Sequence, residues 1–438
     1  MIGGNPHILC TLFLTLFAFI ASAWGEDPAV RIGNPLLARY PVSGDARPRS
    51  IWDLHTFNSK IYLAHGDYWN DSGPTDIWIY PGDGTTFMKE FVTDEEMIWD
   101  FFEYEGLLFI PGVDAMESWD YANLYINDPA QTNQAGWTKK RTLPNGRHSF
   151  EVALFKSNLY ASITRSDYTG RTLVSTNMGS TWSTLLSQHS QYVVFDDFLF
   201  IEGDTDYIYD GQTLTTVTPN LIAYTLNTTR KVRYRDGVLY SLFPRYQLNT
   251  SPLYFITADQ IENSGTATAL PQFLTEKVRD IVVRSNVCYV MTVEEIQTDL
   301  LYRGQIYASS DLTNWPMATE FTVPGMPLSF EIMSNRFYVG LGSRFDGADW
   351  SRLTGPEAGS VWQVSPQPRL DYLDALTPGE VSLLVSLVPG FDFTLQSTPD
   401  LVSPLWSVVT ATNALTDTYL ITDPVLTNEA IRYYQITY

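Results

Sequence analysis

Short apolar runs alternate with tight-turn residues along most of the chain. Runs such as Ile281-Val282-Val283 end at a pair of residues drawn mainly from Asn, Asp, Ser and Gly, and an aromatic side chain follows within a few positions. Seven such aromatics recur at intervals of 40 to 51 residues: Tyr62, Phe109, Tyr160, Phe200, Tyr240, Tyr289 and Tyr338. Short polar turns between β-prone runs are typical of hairpins, so each aromatic marks a predicted pair of strands.

Each predicted hairpin is followed by a third strand-like run, such as Ile77–Tyr80 or Val361–Val364, and often by a fourth. Repetition of a four-stranded unit at this interval predicts an all-β fold, a seven-bladed β-propeller over residues 24–364. The seventh unit lacks an obvious fourth strand. We therefore expect Leu36–Tyr40 to supply that strand and close the ring, which would leave no exposed sheet edge.

The two ends of the chain have different compositions. Residues 365–369 are rich in proline and predict a stiff linker to a small β-sandwich-like domain over residues 370–438. At the other end, residues 1–23 combine the apolar run Ile8–Ile20 with Ala21-Ser22-Ala23, which predicts a cleaved signal peptide. An uncleaved N-terminal anchor is the alternative, since no Lys or Arg precedes the run. The predicted location is secreted, periplasmic or on the cell surface, with no membrane span.

Charge and cysteine content exclude several classes of function. The net charge of −22 argues against a nucleic-acid partner. Only Cys288 remains after removal of the signal peptide, so neither an internal disulfide nor a cysteine zinc site is expected. None of the common motifs for zinc proteases, serine hydrolases, dinucleotides or nucleotide phosphates is present. We expect no cofactor other than, at most, Ca²⁺.

Two segments resemble known turns. Ser175–Trp182 resembles the Asp-box of sialidase-like propellers, with Asn177 in the Asp place, and Ser309–Trp315 is similar to a shorter copy. This resemblance implies a hairpin turn at the outer edge of a blade. A sialidase would also need three arginines that grip the sugar carboxylate, and Arg39-Tyr40-Pro41 stands where the first is expected.

The C-terminal residues carry a separate resemblance. Phe393–Ser397, Trp406 and Arg432–Gln435 are similar to the C-terminal β-domains of secreted verrucomicrobial proteins. That likeness implies a bacterial extracellular or envelope protein and implies no ligand.

Polar residues recur nine positions before each anchor aromatic: Asp53, Asp100, Glu151, Gln191, Lys231, Asp280 and Ser329. Equal spacing along a strand predicts that they ring one level of the central channel. The carboxylic members Asp53, Asp100, Glu151 and Asp280 are candidate Ca²⁺ ligands. They are also candidates for the acid and nucleophile of a glycoside hydrolase. The remaining interpretation is that they form hydrogen bonds to neighbouring blades.

Aromatic side chains accompany Asp and Asn in two predicted loops, and Tyr68, Trp69, Trp119 and Tyr121 are the candidate ligand-binding residues. Flat apolar rings beside polar groups suit sugars, and the alternative is that these rings pack between blades. The sequence therefore favours a secreted, monomeric, non-catalytic propeller that binds glycan or another extracellular surface partner. A sialidase-like or related glycoside hydrolase is the alternative, and a structural or adhesive envelope component is a third hypothesis.

Overall fold

The computed structural model describes residues 29–41, 45–69, 71–82, 84, 86–217, 231–241, 250–298, 300–343, 355–373, 380–398, 406–414, 418–424 and 433–438. The predicted signal peptide lies outside the described residues. The described chain is almost entirely β, and its one α-helix is the short segment Ala258–Glu262, whose N-terminus is capped by the Thr257 side chain. No helix in the described part is long and apolar enough to cross a membrane.

Thirty strands occupy the described residues between 29 and 364. The first eleven are β1 (Ala29–Gly33), β2 (Asp53–Phe57), β3 (Lys60–Ala64), β4 (Thr75–Tyr80), β5 (Met88–Thr93), β6 (Glu95–Met97), β7 (Phe102–Tyr104), β8 (Leu107–Pro111), β9 (Val113–Ala115), β10 (Tyr121–Asn127) and β11 (Trp137–Pro144). The next ten are β12 (Gly146–Phe155), β13 (Asn158–Arg165), β14 (Gly170–Ser175), β15 (Ser183–Leu186), β16 (Ser190–Val194), β17 (Leu199–Gly203), β18 (Asp206–Tyr209), β19 (Leu214–Val217), β20 (Lys231–Tyr234) and β21 (Gly237–Ser241). The last nine are β22 (Leu253–Thr257), β23 (Thr268–Ala269), β24 (Val278–Arg284), β25 (Val287–Gln297), β26 (Leu301–Ser309), β27 (Met317–Val323), β28 (Met326–Met333), β29 (Arg336–Gly342) and β30 (Val361–Val364).

These strands form seven antiparallel sheets among the described residues. In chain order the sheets are β2-β3-β4-β5, β7-β8-β10-β11, β12-β13-β14-β15, β16-β17-β18-β19, β20-β21-β22-β23, β24-β25-β26-β27 and β28-β29-β30-β1. The third sheet is extended by the two short strands β9 and β6. Sequential strands are neighbours because short turns join them, as the repeat of hairpin signals predicts.

The seven anchor aromatics all lie in the second strand of a sheet, and each is at most 3% exposed. The turn before several of them contains two consecutive residues with positive φ, for example Asn58 and Ser59, or Ser285 and Asn286. Two such residues are characteristic of the type I′ turn, whose twist matches that of paired strands. In the third sheet the turn residues are Lys156 and Ser157, one position earlier than the sequence indicates.

The first strand of every sheet contributes to one cavity of about 440 Å³. Each first strand contributes at least one residue to the lining of this cavity. One from each strand in turn is His55, Phe102, Glu151, Gln191, Lys231, Ile281 and Glu331. A single cavity that touches all seven first strands lies on a common axis of the sheets. The fold is therefore an all-β β-propeller, and this cavity is its central channel.

The strand that completes the last sheet differs from the prediction. β1 pairs with β30, with Ala29 opposite Val364 and Arg31 opposite Trp362. Leu36–Tyr40 does not supply it, because Pro35–Ala38 forms a 3₁₀ turn that the Asn34 side chain caps. Proline has no N–H to donate to a strand and its fixed φ suits the first turn of a helix. An N-terminal segment does complete the sheet, but seven residues earlier than expected.

The described residues beyond 367 belong to a separate compact unit. Its strands are β31 (Arg369–Leu373), β32 (Glu380–Ser386), β33 (Asp392–Thr398), β34 (Ser407–Asn413), β35 (Thr418–Pro424) and β36 (Tyr433–Thr437). They form two three-stranded sheets, β31-β32-β35 and β34-β33-β36. Leu383 and Val385 of one sheet share a buried apolar cluster with Phe393 and Leu395 of the other. Packing of two sheets through such a cluster is sandwich-like.

Candidate functional site

The axial polar residues divide into two groups. Asp53 and Asp280 are fully buried and do not line the channel. The backbone N–H of Phe101 donates to Asp53 at 3.1 Å, and that of Phe330 donates to Asp280 at 2.9 Å. Each acceptor lies in the first strand of one sheet, and the donors lie immediately before β7 and in β28, the first strands of other sheets. These two carboxylates therefore join neighbouring sheets, which corrects the expectation that they face the channel.

Asp100, Glu151, Gln191 and Lys231 do line the channel. The Gln191 amide donates to Glu151 at 3.4 Å, and the Lys231 ammonium donates to the Gln191 side chain at 2.6 Å. Lys231 also pairs with the buried carboxylate of Glu202. Burial lowers the pKa of Lys231 to about 7, while the Glu151 carboxylate acts in the opposite direction.

The cavity does not bring the four candidate carboxylates together. Other basic residues that line the channel have acidic partners, since Arg284 pairs with Glu331 and His55 lies 3.3 Å from Glu103. In the described part of the chain, no group of three or more Asp, Glu, His or Cys residues is placed to hold a metal ion. The channel thus presents a mixed set of paired charges rather than a cluster of carboxylates.

The candidate aromatic residues lie elsewhere, in or at the end of the connections between the second and third strands of the first two sheets. Trp69 is 61% exposed, Trp119 42% and Tyr121 46%. The same connection of the third sheet adds Tyr168, which is 70% exposed. Strand direction alternates within each sheet, so these connections emerge at the same face of the propeller. We call Tyr68, Trp69, Trp119, Tyr121 and Tyr168 the aromatic surface.

Tyr68, in the connection of the first sheet, contacts both Trp69 and a residue of the third sheet. The ring of Tyr68 lies 5.1 Å from that of Trp69 and 5.3 Å from that of His148. The backbone N–H of Trp69 donates to Asp67 at 3.0 Å. Gly66 begins the loop with φ +111°, and a Cβ there would lie 2.4 Å from the carbonyl oxygen of Glu96. Only glycine fits at that position, so the loop geometry depends on it.

Arg147 connects the other aromatics. Its guanidinium lies 4.2 Å from the centre of the Trp119 ring and 5.7 Å from that of Tyr168. It donates to the Tyr168 hydroxyl at 3.0 Å and to the Asp114 carboxylate at 3.2 Å. Trp119 also donates to Asp114. The guanidinium of Arg141 lies 5.8 Å from the centre of the Tyr121 ring. Cation–π contacts and hydrogen bonds thus fix the rings while leaving their outer faces exposed.

Four carboxyl groups, Asp67, Asp71, Glu96 and Asp114, lie beneath the aromatic surface, and we call them the carboxyl cluster. Pairing of β6 with β9 places Glu95 opposite Ala115 and Met97 opposite Val113, so Glu96 and Asp114 are directly opposed. Side chains of opposed residues share one face, with Cβ atoms about 5 Å apart.

The electrostatics of the cluster follow from its burial. Burial, together with the charge of Asp114, a hydrogen bond with Asp71 and the charges of Asp71 and Asp67, raises the pKa of Glu96 to about 8. Burial also raises the pKa of Asp114, although Arg147 and Trp119 oppose that effect. Glu96 is therefore protonated at pH 7, whereas Asp114 keeps a cationic partner.

Glu96, Asp114, Arg147 and Tyr168 were not among the predicted site residues. Their proximity depends on β6 and β9, which are three residues long and carry no recognisable strand pattern. Arg279 was also missed. It is 2% exposed, and its Nε and Nη2 atoms have no hydrogen-bond partner in the part of the chain that the structure describes. Arg39, the predicted first sialidase arginine, donates to the carbonyl of Ser72 at 3.3 Å.

The two Asp-box-like turns lie at the outer hairpins of the third and sixth sheets. In the first, Asn177 accepts from the backbone N–H of Thr181 at 2.9 Å, and Trp182 donates to Thr142 at 3.1 Å. In the second, Asp311 accepts from the backbone N–H of Thr313 at 2.8 Å. Both turns stabilise hairpins, since each joins the third strand of its sheet to the fourth.

No protein-family model and no curated protein matches this sequence. Solved structures that are similar include BamB from Moraxella catarrhalis, at 9% identity and TM-score 0.35, over 72% of this chain and 85% of that chain. The β-propeller domain of the Trilobed protease from Pyrococcus furiosus matches at 9% identity and TM-score 0.42, over 66% of this chain and 88% of that chain. The Pyrococcus horikoshii acylaminoacyl peptidase matches at 9% identity and TM-score 0.40, over 77% of this chain and 57% of that chain. These values carry no argument about what this chain binds.

Proposed function

We propose that the protein is a secreted seven-bladed β-propeller that binds glycan through its aromatic surface, without catalysing a reaction. The observation that carries the proposal is a set of exposed rings fixed by Arg147 and surrounded by Asp and Glu side chains. A sugar offers apolar C–H faces and polar hydroxyl edges, and such a surface complements both. The predicted signal peptide supports an extracellular glycan as the partner.

Binding is favoured over hydrolysis because two of the four predicted catalytic carboxylates are engaged in contacts between neighbouring sheets. Asp53 and Asp280 accept from backbone N–H groups, and of the four candidates Asp100 and Glu151 line the channel. Rigid aromatic side chains contribute binding area at a low cost in conformational entropy, so a preformed surface of this kind binds without closure of a lid.

A glycan array with the mature chain, residues 24–438, tests the proposal. We expect binding to a defined set of oligosaccharides, reduced at least about tenfold (about 1.4 kcal/mol) by Trp69→Ala or Trp119→Ala. Trp119→Phe keeps a flat ring and should retain most of the affinity. Ile296→Ala, at an exposed side chain of the sixth sheet, is the matched control. Absence of any glycan binding, or binding unaffected by both tryptophan substitutions, would overturn the proposal.

A further inference from the structure

Among the described residues, two members of the carboxyl cluster form ion pairs and two do not. Asp67 pairs with Arg47 at 3.5 Å, and Asp114 pairs with Arg147 at 3.2 Å. No ion pair joins Glu96 or Asp71 to a basic side chain in the described part of the chain, and these two carboxyls instead share a hydrogen bond. A proton therefore takes the place of a cationic partner at Glu96.

Two buried polar atoms at the cluster also lack a hydrogen-bond partner among the described residues. Glu96 is 6% exposed, and its Oε2 atom has no hydrogen-bond partner among the described residues. His148, from a different strand, is 7% exposed, and in the same part of the chain its Nδ1 atom has no hydrogen-bond partner either. That Nδ1 atom lies 3.9 Å from a carboxylate oxygen of Asp114. This separation is too long for a direct hydrogen bond but allows one donor to reach both atoms. Unpaired buried polar atoms are uncommon and indicate a missing partner.

We propose that the carboxyl cluster binds a primary ammonium group of the ligand, and that the glycan recognised by the aromatic surface carries free amino sugars. This inference rests on the proposed glycan-binding function. An ammonium group has three donors and one positive charge, which matches the carboxyl pair of Asp71 and Glu96 together with the neighbouring acceptors. The exposed carboxyl of Asp71 gives access from the surface. Nearby aromatic rings add cation–π attraction.

Binding of an ammonium group should release the proton held by Glu96. The charged groups that act on Glu96 are Asp67 and Asp71 from the β3–β4 connection and Asp114 from β9, and Arg147 and His148 from β12 lie near Asp114. Burial and the charge of Arg147 lower the pKa of His148 to about 3, so this imidazole stays neutral and can accept. Glu96 is the group in this set that is protonated at pH 7 because of burial, so it is the source of the proton.

Isothermal titration calorimetry with a matched pair of probes tests the inference. The tetramer of glucosamine and the tetramer of N-acetylglucosamine differ only by acetylation of the amines. At pH 6 we expect the glucosamine tetramer to bind the mature chain at least tenfold more tightly. Titrations in two buffers of different ionisation enthalpy should show release of up to one proton per site. Equal affinities, tighter binding of the acetylated tetramer, or failure of the glucosamine tetramer to bind would overturn the inference.

A charge variant separates this inference from the proposed function. Glu96→Gln resembles the protonated carboxyl in shape, so it should fold and should lose both the preference for the amine and the proton release. Glu294→Gln, at an exposed carboxylate of the sixth sheet that pairs with Arg303, is the control and should behave as the wild type. If Glu96→Gln keeps the preference, the ammonium site is wrong. In that case the proposed function would still hold if the array shows glycan binding and Trp119→Ala removes it.

Discussion

At the scale of single residues, the surroundings of a carboxyl group decide what it does. Asp280 and Asp100 stand nine residues before their anchor aromatics, yet one accepts from the backbone of the adjoining sheet and the other lines the channel. The repeat places both residues on the first strand or at its start. Whether the side chain turns to the channel or to the next sheet depends on which N–H group lies within reach, and spacing does not encode that.

This difference predicts unequal costs for equivalent substitutions. Asp280→Ala leaves the N–H groups of Phe330 and Ile281 buried without their acceptors, and the free energy of unfolding should fall by about 2–3 kcal/mol. Asp100→Ala, at the half-buried channel position, should cost less than about 1 kcal/mol. Urea denaturation followed by circular dichroism gives both values. Equal losses would show that the two carboxylates have equivalent roles.

The protonated state of Glu96 predicts a pH-dependent stability difference. Its pKa is about 8 in the folded protein and near 4.5 in the unfolded chain. Between these values the unfolded state is ionised and the folded state is protonated, so wild-type stability falls as pH rises. Glu96→Gln lacks this contribution. Relative to the wild type, the variant should therefore gain on the order of 1 kcal/mol per pH unit from pH 5 to pH 8. Parallel stability curves for the two proteins would contradict the assignment.

At the scale of elements, the repeat of turns and aromatics predicts most of the sheets, because hairpin turns are a local property of the sequence. The seven anchor aromatics lie in second strands, as expected. Two kinds of element could not be predicted. β1 precedes Pro35, and pairing across more than 300 residues has no local signal. β6 and β9 are too short for an alternating pattern, although they position Glu96 opposite Asp114.

The place of β1 at the edge of the last sheet predicts the effect of its removal. A chain that begins at Asn34 leaves the outer edge of β30 without its partner strand, and exposed edges promote association. Compared with the chain that begins at Trp24, we expect a melting temperature lower by several degrees, at least about 3 °C, and a concentration-dependent increase in apparent mass. Calorimetry and size-exclusion chromatography measure the two effects. An unchanged melting temperature would mean that β1 contributes little to closure.

At the scale of the whole molecule, the residues that hold the sheets together and the residues proposed to bind ligand lie in different parts of the propeller. First strands pack around the axis and carry paired charges, whereas the connections at one face carry the exposed rings and the carboxyl cluster. A net charge of −22 disfavours acidic ligands in general and agrees with a neutral or cationic glycan. The aromatic candidates were accessible to sequence reasoning because Trp and Tyr stand beside Asp and Asn in loops. The acidic cluster beneath them was not, since it depends on contacts among three sheets.

The central claim is that ligand binds at the aromatic surface, and fluorine NMR of the mature chain labelled with 5-fluorotryptophan tests it most directly. The chain has 12 tryptophans, each assignable by substitution with Phe. Addition of the oligosaccharide that ranks first on the array should shift the Trp69 and Trp119 signals in a saturable manner. The signals of Trp137, in the core, and Trp182, at an outer turn, should stay in place. Signals of Trp69 and Trp119 that do not move while another tryptophan responds would contradict the account.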